Sequence, residues 1–312
     1  MTLTQMKNYK ALVHVHVFYK EMFEEIRDAL QNITVEYDLF VTMIEEDVEF
    51  RKQILAFKKN SVIKIVENRG FDIGPFLSII NKIDLDNYDF IIKLHTKGNV
   101  AKNHPLVHHV NMSGNAWRKF LLSFLASKEV FDKQLALFES NGKIGMTADD
   151  KVTTCLDRDY NAKKILNEFL RKNQIKQCKY KFVAGSMFMA RAQLFKQLQQ
   201  CDLKIEDFAF VDVNRAGELA HAIERYLGQL VYSQGFVIKP YQNILQILFI
   251  DLIKFKNRVW NKLFRIIKNK SFREIKQVSG PIKIKYYFFP MREKYDVQNA
   301  CELLQDQHPS LK

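Results

Sequence analysis

The sequence predicts an α/β domain of the doubly wound type over residues 1–250, a mostly parallel sheet flanked by helices, followed by a basic helical appendage over residues 251–312. Three observations predict it. Strand-like and helix-like segments alternate through the first hundred residues; the strand-like segments are continuous apolar runs, as in parallel strands buried on both faces; and beyond about residue 241 the composition turns to Ile, Leu, Phe and Lys.

Residues 11–19 (ALVHVHVFY) are a β-branched apolar run, and residues 20–32 then place Met22, Phe23, Ile26 and Leu30 at helical spacing. Residues 37–44 read as a second strand, 48–57 as a helix, and 61–66 as a third strand. Residues 75–83 form a helix with Pro75 in its first turn, where a missing N–H costs nothing. Residues 89–96 (DFIIKLHT) are a fourth strand. Further helices are expected over 115–126, 128–140, 160–173, 193–199 and 218–232, with strands at 143–148 and 182–190. Ligands of such sheets sit beyond the carboxyl ends of the strands.

With 312 residues, 47% of them apolar, the chain can bury a sizeable core, and 11 Gly and 6 Pro leave no room for low-complexity linkers. No apolar run before the first strand reads as a signal peptide, so a cytoplasmic location is expected. Cys155, Cys178, Cys201 and Cys301 form no Cys-x-x-Cys pair; they suit a reduced compartment and read as structural. Of the net charge of +13, nine units lie within residues 251–285, where eleven Lys and Arg face only Asp251 and Glu274. Residues 252–267 interleave Phe255, Trp260, Leu263 and Phe264 with Lys254, Lys256, Arg258 and Arg265, and contain no apolar stretch near the ~20 residues that span a bilayer. They read as an interfacial helix suited to anionic lipid, or else as a solvated basic face. Because the basic excess lies at the C-terminal end, and no nucleic-acid motif is present, nucleic acid is not an expected partner.

Two segments at strand ends carry chemistry. Residues 67–75 (ENRGFDIGP) leave the third strand and enter a helix, so the unpaired N–H groups of the helix start face an anion, while Asn68, Arg69 and Asp72 can read a base or ribose. Asn68 and Asp72 are also common capping residues. Residues 88–97 (YDFIIKLHTK) end in Lys93, His95 and Lys97 where a carboxylate pair would hold a divalent ion. A lysine can neutralise a diphosphate and a histidine can hydrogen-bond phosphate or sugar, so no metal is expected. Lys93 lies deeper in the strand and is the one most suited to pairing with a nearby acid.

The motifs VHVFY at 15–19, NRGFDIGPF at 68–76, LHTK at 94–97, WR at 117–118, VAGSMF at 183–188 and HAIER at 221–225 occur in order over about residues 11–240. Together they resemble the rhamnan synthesis protein F family of polysaccharide-assembly glycosyltransferases; Phe71 departs from the polar or basic residue expected there. The resemblance implies a GT-A-like fold and transfer of rhamnose or another hexose from a nucleotide-diphosphate donor. The acceptor implied is a lipid-linked or oligosaccharide glycan (O-antigen, capsule or rhamnan) at the inner face of the plasma membrane of a bacterium. Tyr19, Asn68, Arg69, Asp72, Lys97, Gly185 and Ser186 are expected at the donor, with Gly185 and Ser186 letting backbone approach the sugar or else packing on a helix. His221, Glu224 and Arg225 share a helix face, with Glu224 the candidate general base and its neighbours orienting it. His95 and Asp150 are the other candidate catalytic groups, Asp149 and Asp150 competing as base, acceptor contact or metal site. Trp117 and Arg118 could stack on sugar and bind phosphate, although tryptophan is commonly core. The alternatives are a non-catalytic nucleic-acid binder or an assembly scaffold using the basic tail.

Overall fold

The computed structural model describes residues 8–98, 104–105, 111–112, 114–155, 159–211 and 218–242. The chain divides into two units, 1–241 and 242–312, and every described residue but Gln242 belongs to the first. The basic segment from residue 251 onward lies outside the described residues.

In chain order the elements are β1 (Lys10–Val17), α1 (Phe23–Leu30), β2 (Glu36–Met43), α2 (Val48–Phe57), β3 (Val62–Ile65), α3 (Ile73–Ile80) and β4 (Phe90–His95). There follow β5 (His104–Pro105), β6 (Asn111–Met112), α4 (Gly114–Leu122), α5 (Lys128–Ser140), β7 (Ile144–Thr147), β8 (Thr153–Thr154) and α6 (Tyr160–Lys172). The last are β9 (Phe182–Val183), β10 (Phe188–Arg191), α7 (Lys196–Gln199), α8 (Glu218–Ser233) and β11 (Val237–Ile238). Asp47, Ser127 and Asp159 cap α2, α5 and α6 by accepting from the backbone amides of Phe50, Val130 and Ala162.

Seven strands form the main sheet in the order β11-β7-β10-β4-β1-β2-β3, and all run parallel except β10, which is antiparallel to both neighbours. From β1 the chain builds outward through β2 and β3, then returns to β4 on the other side. The strand order therefore reverses between β1 and β4, which is where ligands of open α/β sheets bind.

The single strand expected over 182–190 is corrected. It is two strands in different sheets: β9 pairs with β8, and β10 joins the main sheet. Gly185 (φ 82°) and Ser186 (φ 48°) turn left-handed between them, which no strand accommodates. The helix expected from residue 20 begins with a 3-10 turn at Lys20–Met22, and the one expected to residue 126 finishes as a 3-10 turn at Ser123–Leu125.

Register assigns side chains to faces. His14 pairs with Phe40 and Lys93, and His16 with Thr42 and His95, so these residues share one face of the sheet. That face carries α3, whose Phe76 ring lies 5.5 Å from the His14 ring. The other face is apolar, through Val13, Val15, Ile92 and Leu94, and α5 covers part of it through a Phe90–Phe138 ring contact at 4.8 Å. A sheet buried on both faces thus has one face interrupted by polar groups beneath the carboxyl ends of β1 and β4.

Candidate functional site

Lys93 is fully buried. Its ammonium donates to Asp72 Oδ2, to Ser186 Oγ at 2.8 Å and to the Ser186 carbonyl at 3.2 Å. Ser186 Oγ in turn donates to Asp72 Oδ2. Asp72 sits at the N-cap position of α3 without making a side-chain cap, because its carboxylate is turned to Lys93 and Ser186 instead. Burial pushes the Asp72 carboxyl up, but the charge of Lys93, with the Lys93 and Ser186 hydrogen bonds, holds it far below the usual carboxylate range.

His95 lies beside this group, Nδ1 3.7 Å from Asp72 Oδ2. Burial lowers its pKa to about 3; Lys93 and Lys97 add to the shift and Asp72 opposes it, so the imidazole is neutral. His16, lowered to about 4 chiefly by burial, and His14, lowered further, are neutral too. Thr42 Oγ1 joins them, 3.0 Å from His14 Nε2 and 3.1 Å from His16 Nδ1.

Glu224 approaches from α8. Its Oε1 accepts the Gly185 amide at 2.6 Å, and its Oε2 lies 3.5 Å from Arg225 Nη1. Burial raises its pKa and the charge of Asp72 adds to the rise, while the Gly185 amide, Arg225 and His221 pull the other way. A carboxyl with a raised pKa is suited to exchanging a proton near neutrality. His221, on the same helix face, stacks on Phe71 with ring centroids 6.0 Å apart and planes 5° from parallel, and its Nδ1 is 3.5 Å from Asp159 Oδ2. Arg225 also donates to the His221 carbonyl at 2.9 Å. The structure therefore brings Asp72, Lys93, His95, Gly185, Ser186, Glu224, Arg225 and His221 into one neighbourhood.

Apart from Lys97, whose charge acts on His95, the other expected residues that the structure describes make their contacts outside that network. Asn68 and Arg69 are tied to the 208–211 segment. The Val211 amide donates to the Asn68 carbonyl at 2.9 Å, and Arg69 Nη1 donates to the Phe208 carbonyl at 2.9 Å and lies over the Phe210 ring. Tyr19 is half-exposed at the exit of β1, and the amides of Phe18 and Tyr19 both donate to Thr96 Oγ1 at 2.9 Å. Lys97, on the strand exit beyond Thr96, is partly exposed. Trp117 is buried, and Arg118 makes a two-pronged ion pair with Glu25 at 2.5 and 2.8 Å. Asp149 is buried and accepts from Ser123 Oγ at 2.7 Å and the Lys151 amide at 2.7 Å, and burial raises its pKa. Gly185 packs on a helix: a Cβ there would lie 2.6 Å from Leu121 Cδ2 of α4.

Sequence reasoning missed Thr96, His14, His16 and Thr42. The alternation in VHVHV, with both histidines on the face that carries Lys93, was the available signal. A cavity of about 410 Å³ between α6 and the 201–207 segment, lined by Phe169, Lys172, Leu203 and Lys204 among others, is separate from all of these groups. Among the described residues no helix is long and apolar enough to cross a membrane.

The model of the rhamnan synthesis protein F family matches residues 1–236. Two curated relatives, both named uncharacterized protein WxcX and from two strains of Xanthomonas campestris pv. campestris, are 26% identical over 249 residues, covering 78% of this chain and 34% of theirs. The chain thus spans about a third of the length of the curated relatives it matches. Similar solved structures include S. aureus TarS 1-349, with 12% identity, 70% of this chain and 56% of that chain covered and a TM-score of 0.37. Another is a putative nucleotide-diphospho-sugar transferase from Desulfovibrio desulfuricans G20, with 10% identity, coverage of 74% and 79% and a TM-score of 0.30.

Proposed function

The chain belongs to the rhamnan synthesis protein F family, and from that membership we propose that its described domain is a GT-A-like glycosyltransferase using a nucleotide-diphosphate sugar. The observation that carries the reading is Glu224, a carboxylate of raised pKa held by the amide of Gly185, whose neighbour Ser186 meets Lys93 of β4. Glu224 removes the proton of an acceptor hydroxyl; the oxygen bonds to the anomeric carbon of the donor sugar, and the bond from that carbon to the diphosphate breaks, its electron pair leaving with the nucleoside diphosphate. The developing charge on the diphosphate needs fixed stabilisation. Lys97 supplies it without a divalent ion, and neutral His95 donates a hydrogen bond. Lys93 and Asp72 Oδ2 are bonded to each other and to Ser186, so in this reading Asp72 serves that network rather than the donor.

The acceptor in this reading is a lipid-linked surface glycan, with rhamnose or another hexose transferred, and the basic segment 251–285 holds the enzyme to an anionic membrane surface. A thermal-shift panel of UDP, dTDP, GDP and CMP with their sugars tests the reading. One nucleotide family should raise the melting temperature in a dose-dependent way, the added stability reaching about 2.7 kcal/mol at a hundredfold excess over Kd. No response to any nucleotide, with stabilisation by polynucleotide that salt removes, would replace the reading with nucleic-acid binding.

A further inference from the structure

Two loops far apart in sequence each contain a consecutive left-handed pair: Gly70 and Phe71 (φ 68° and 54°) and Gly185 and Ser186 (φ 82° and 48°). Glycine takes this conformation freely, but Phe71 and Ser186 do so at a cost that the surrounding structure must offset. Such outliers persist only where neighbours over-determine them. Here the neighbours are a single connected group: Asp72, next to Phe71, is joined to Ser186 through its hydroxyl and through the buried Lys93 ammonium, which also holds the Ser186 carbonyl. The residue before Ser186 is the one whose amide binds Glu224, at 2.6 Å.

We propose that Lys93, Asp72 and Ser186 are positioning residues: they clamp the left-handed Gly185–Ser186 turn so that the Gly185 amide fixes the Glu224 carboxylate at the acceptor side of the site. The inference rests on the reading of Glu224 as the base. It takes Asp72 and Ser186 out of direct donor contact and gives the buried lysine a task beyond pairing. The Gly185 amide as donor, with the Arg225 guanidinium 3.5 Å from the other oxygen, then holds Glu224 in one rotamer, and a base held in place gains its rate from orientation. The groups that face Glu224 are Arg225 and His221 on its own helix, His221 with Asp159 behind it, and Asp72 from the start of α3, backed by Lys93 and His95 of β4.

The test uses the full chain and Ser186→Gly, which relieves the left-handed strain, removes the hydroxyl and preserves every charge. Amide hydrogen exchange at Gly185 and carboxyl-carbon NMR titration of Glu224, assigned with Glu224→Gln, report the clamp directly. In Ser186→Gly the Gly185 amide should exchange about 10- to 100-fold faster, as expected for loss of one hydrogen bond to a charged acceptor. The Glu224 carboxyl should titrate about one unit higher, having lost a donor that favours its charged form. In the transfer assay kcat should fall about 10- to 100-fold and the acid limb of its pH profile should move up, with donor KM within about twofold of the parent. Asp72→Asn keeps the shape of the clamp while weakening its other end, so it should speed Gly185 exchange in the same way. Unchanged Gly185 exchange in both variants, with unchanged Glu224 titration in Ser186→Gly, would overturn the proposal; in Asp72→Asn the loss of the Asp72 charge lowers the Glu224 titration by itself. Because the NMR readings need no turnover, a parent protein that transfers no sugar counts against the transferase reading alone.

Discussion

Replacing Lys93 with methionine removes the ammonium and leaves its partners where they are. Methionine follows the lysine stem closely, so little packing is lost in contacts such as that with the Phe76 ring, whose centre lies 5.5 Å from Nζ. The cost falls on Asp72, whose side chain is 19% exposed and whose only close ammonium among the described residues is gone. Breaking a buried pair by removing one partner costs about 3–5 kcal/mol. At about 2–4 °C per kcal/mol for a domain of this size, the melting temperature should fall by about 6–20 °C. Adding Asp72→Asn removes the stranded charge and leaves an amide that still meets Ser186, so the double variant should regain at least half of the loss. Acid narrows the gap between parent and single variant. The parent's contribution from Asp72 is present above the unfolded carboxylate value of about 3.9 and is lost as pH falls toward the depressed folded value. Protonation meanwhile relieves the stranded carboxyl of the variant. Urea unfolding followed by circular dichroism at several pH values reads both effects. A loss below about 1 kcal/mol, or a double variant no better than the single, would refute the view that Lys93 and Asp72 act as a compensated pair.

Gly185→Ala forces a Cβ to 2.6 Å from Leu121 Cδ2 at φ 82° and should cost about 1–3 kcal/mol in urea unfolding; a neutral substitution would mean that α4 and the turn are free to separate. Lys97→Ala should lose transfer activity that Mg²⁺ or Mn²⁺ does not restore, while the parent stays active in excess EDTA; complete loss on chelation, recovered by Mn²⁺, would assign the diphosphate to a metal instead. Deleting residues 251–312 should release the protein from anionic vesicles, at about 1 kcal/mol per basic residue near the surface, without changing nucleotide binding. Equal vesicle binding by the full and shortened chains would rule out the tether.

The parallel half of the sheet was legible because buried parallel strands are written as unbroken apolar runs, and β1 to β4 follow 11–19, 37–44, 61–66 and 89–96 closely. The break inside residues 182–190 was not legible for the same reason. FVAGSMFMA is as apolar as a strand, and only the Gly-Ser step marks a left-handed turn whose need arises from Leu121 and Lys93, distant in sequence. Lys93 could be read as the partner of some acid from its depth in a strand, but the identity of Asp72, 21 positions away, depends on how α3 sits over β4. The Arg118–Glu25 pair, 93 positions apart, hides in the same way. Motif order singled out the candidate residues; the pairing of charges among them required the fold.

The most direct test of Glu224 as base is nucleoside-diphosphate release during sugar transfer by the parent, Glu224→Gln and Asp150→Asn, with donor affinity measured alongside. The amide keeps the shape of the side chain and removes its basicity, so kcat for Glu224→Gln should fall about 10²–10⁴-fold while donor affinity holds and Asp150→Asn stays active. Near-full turnover by Glu224→Gln beside an inactive Asp150→Asn would contradict the account and move the chemistry to the other carboxylate.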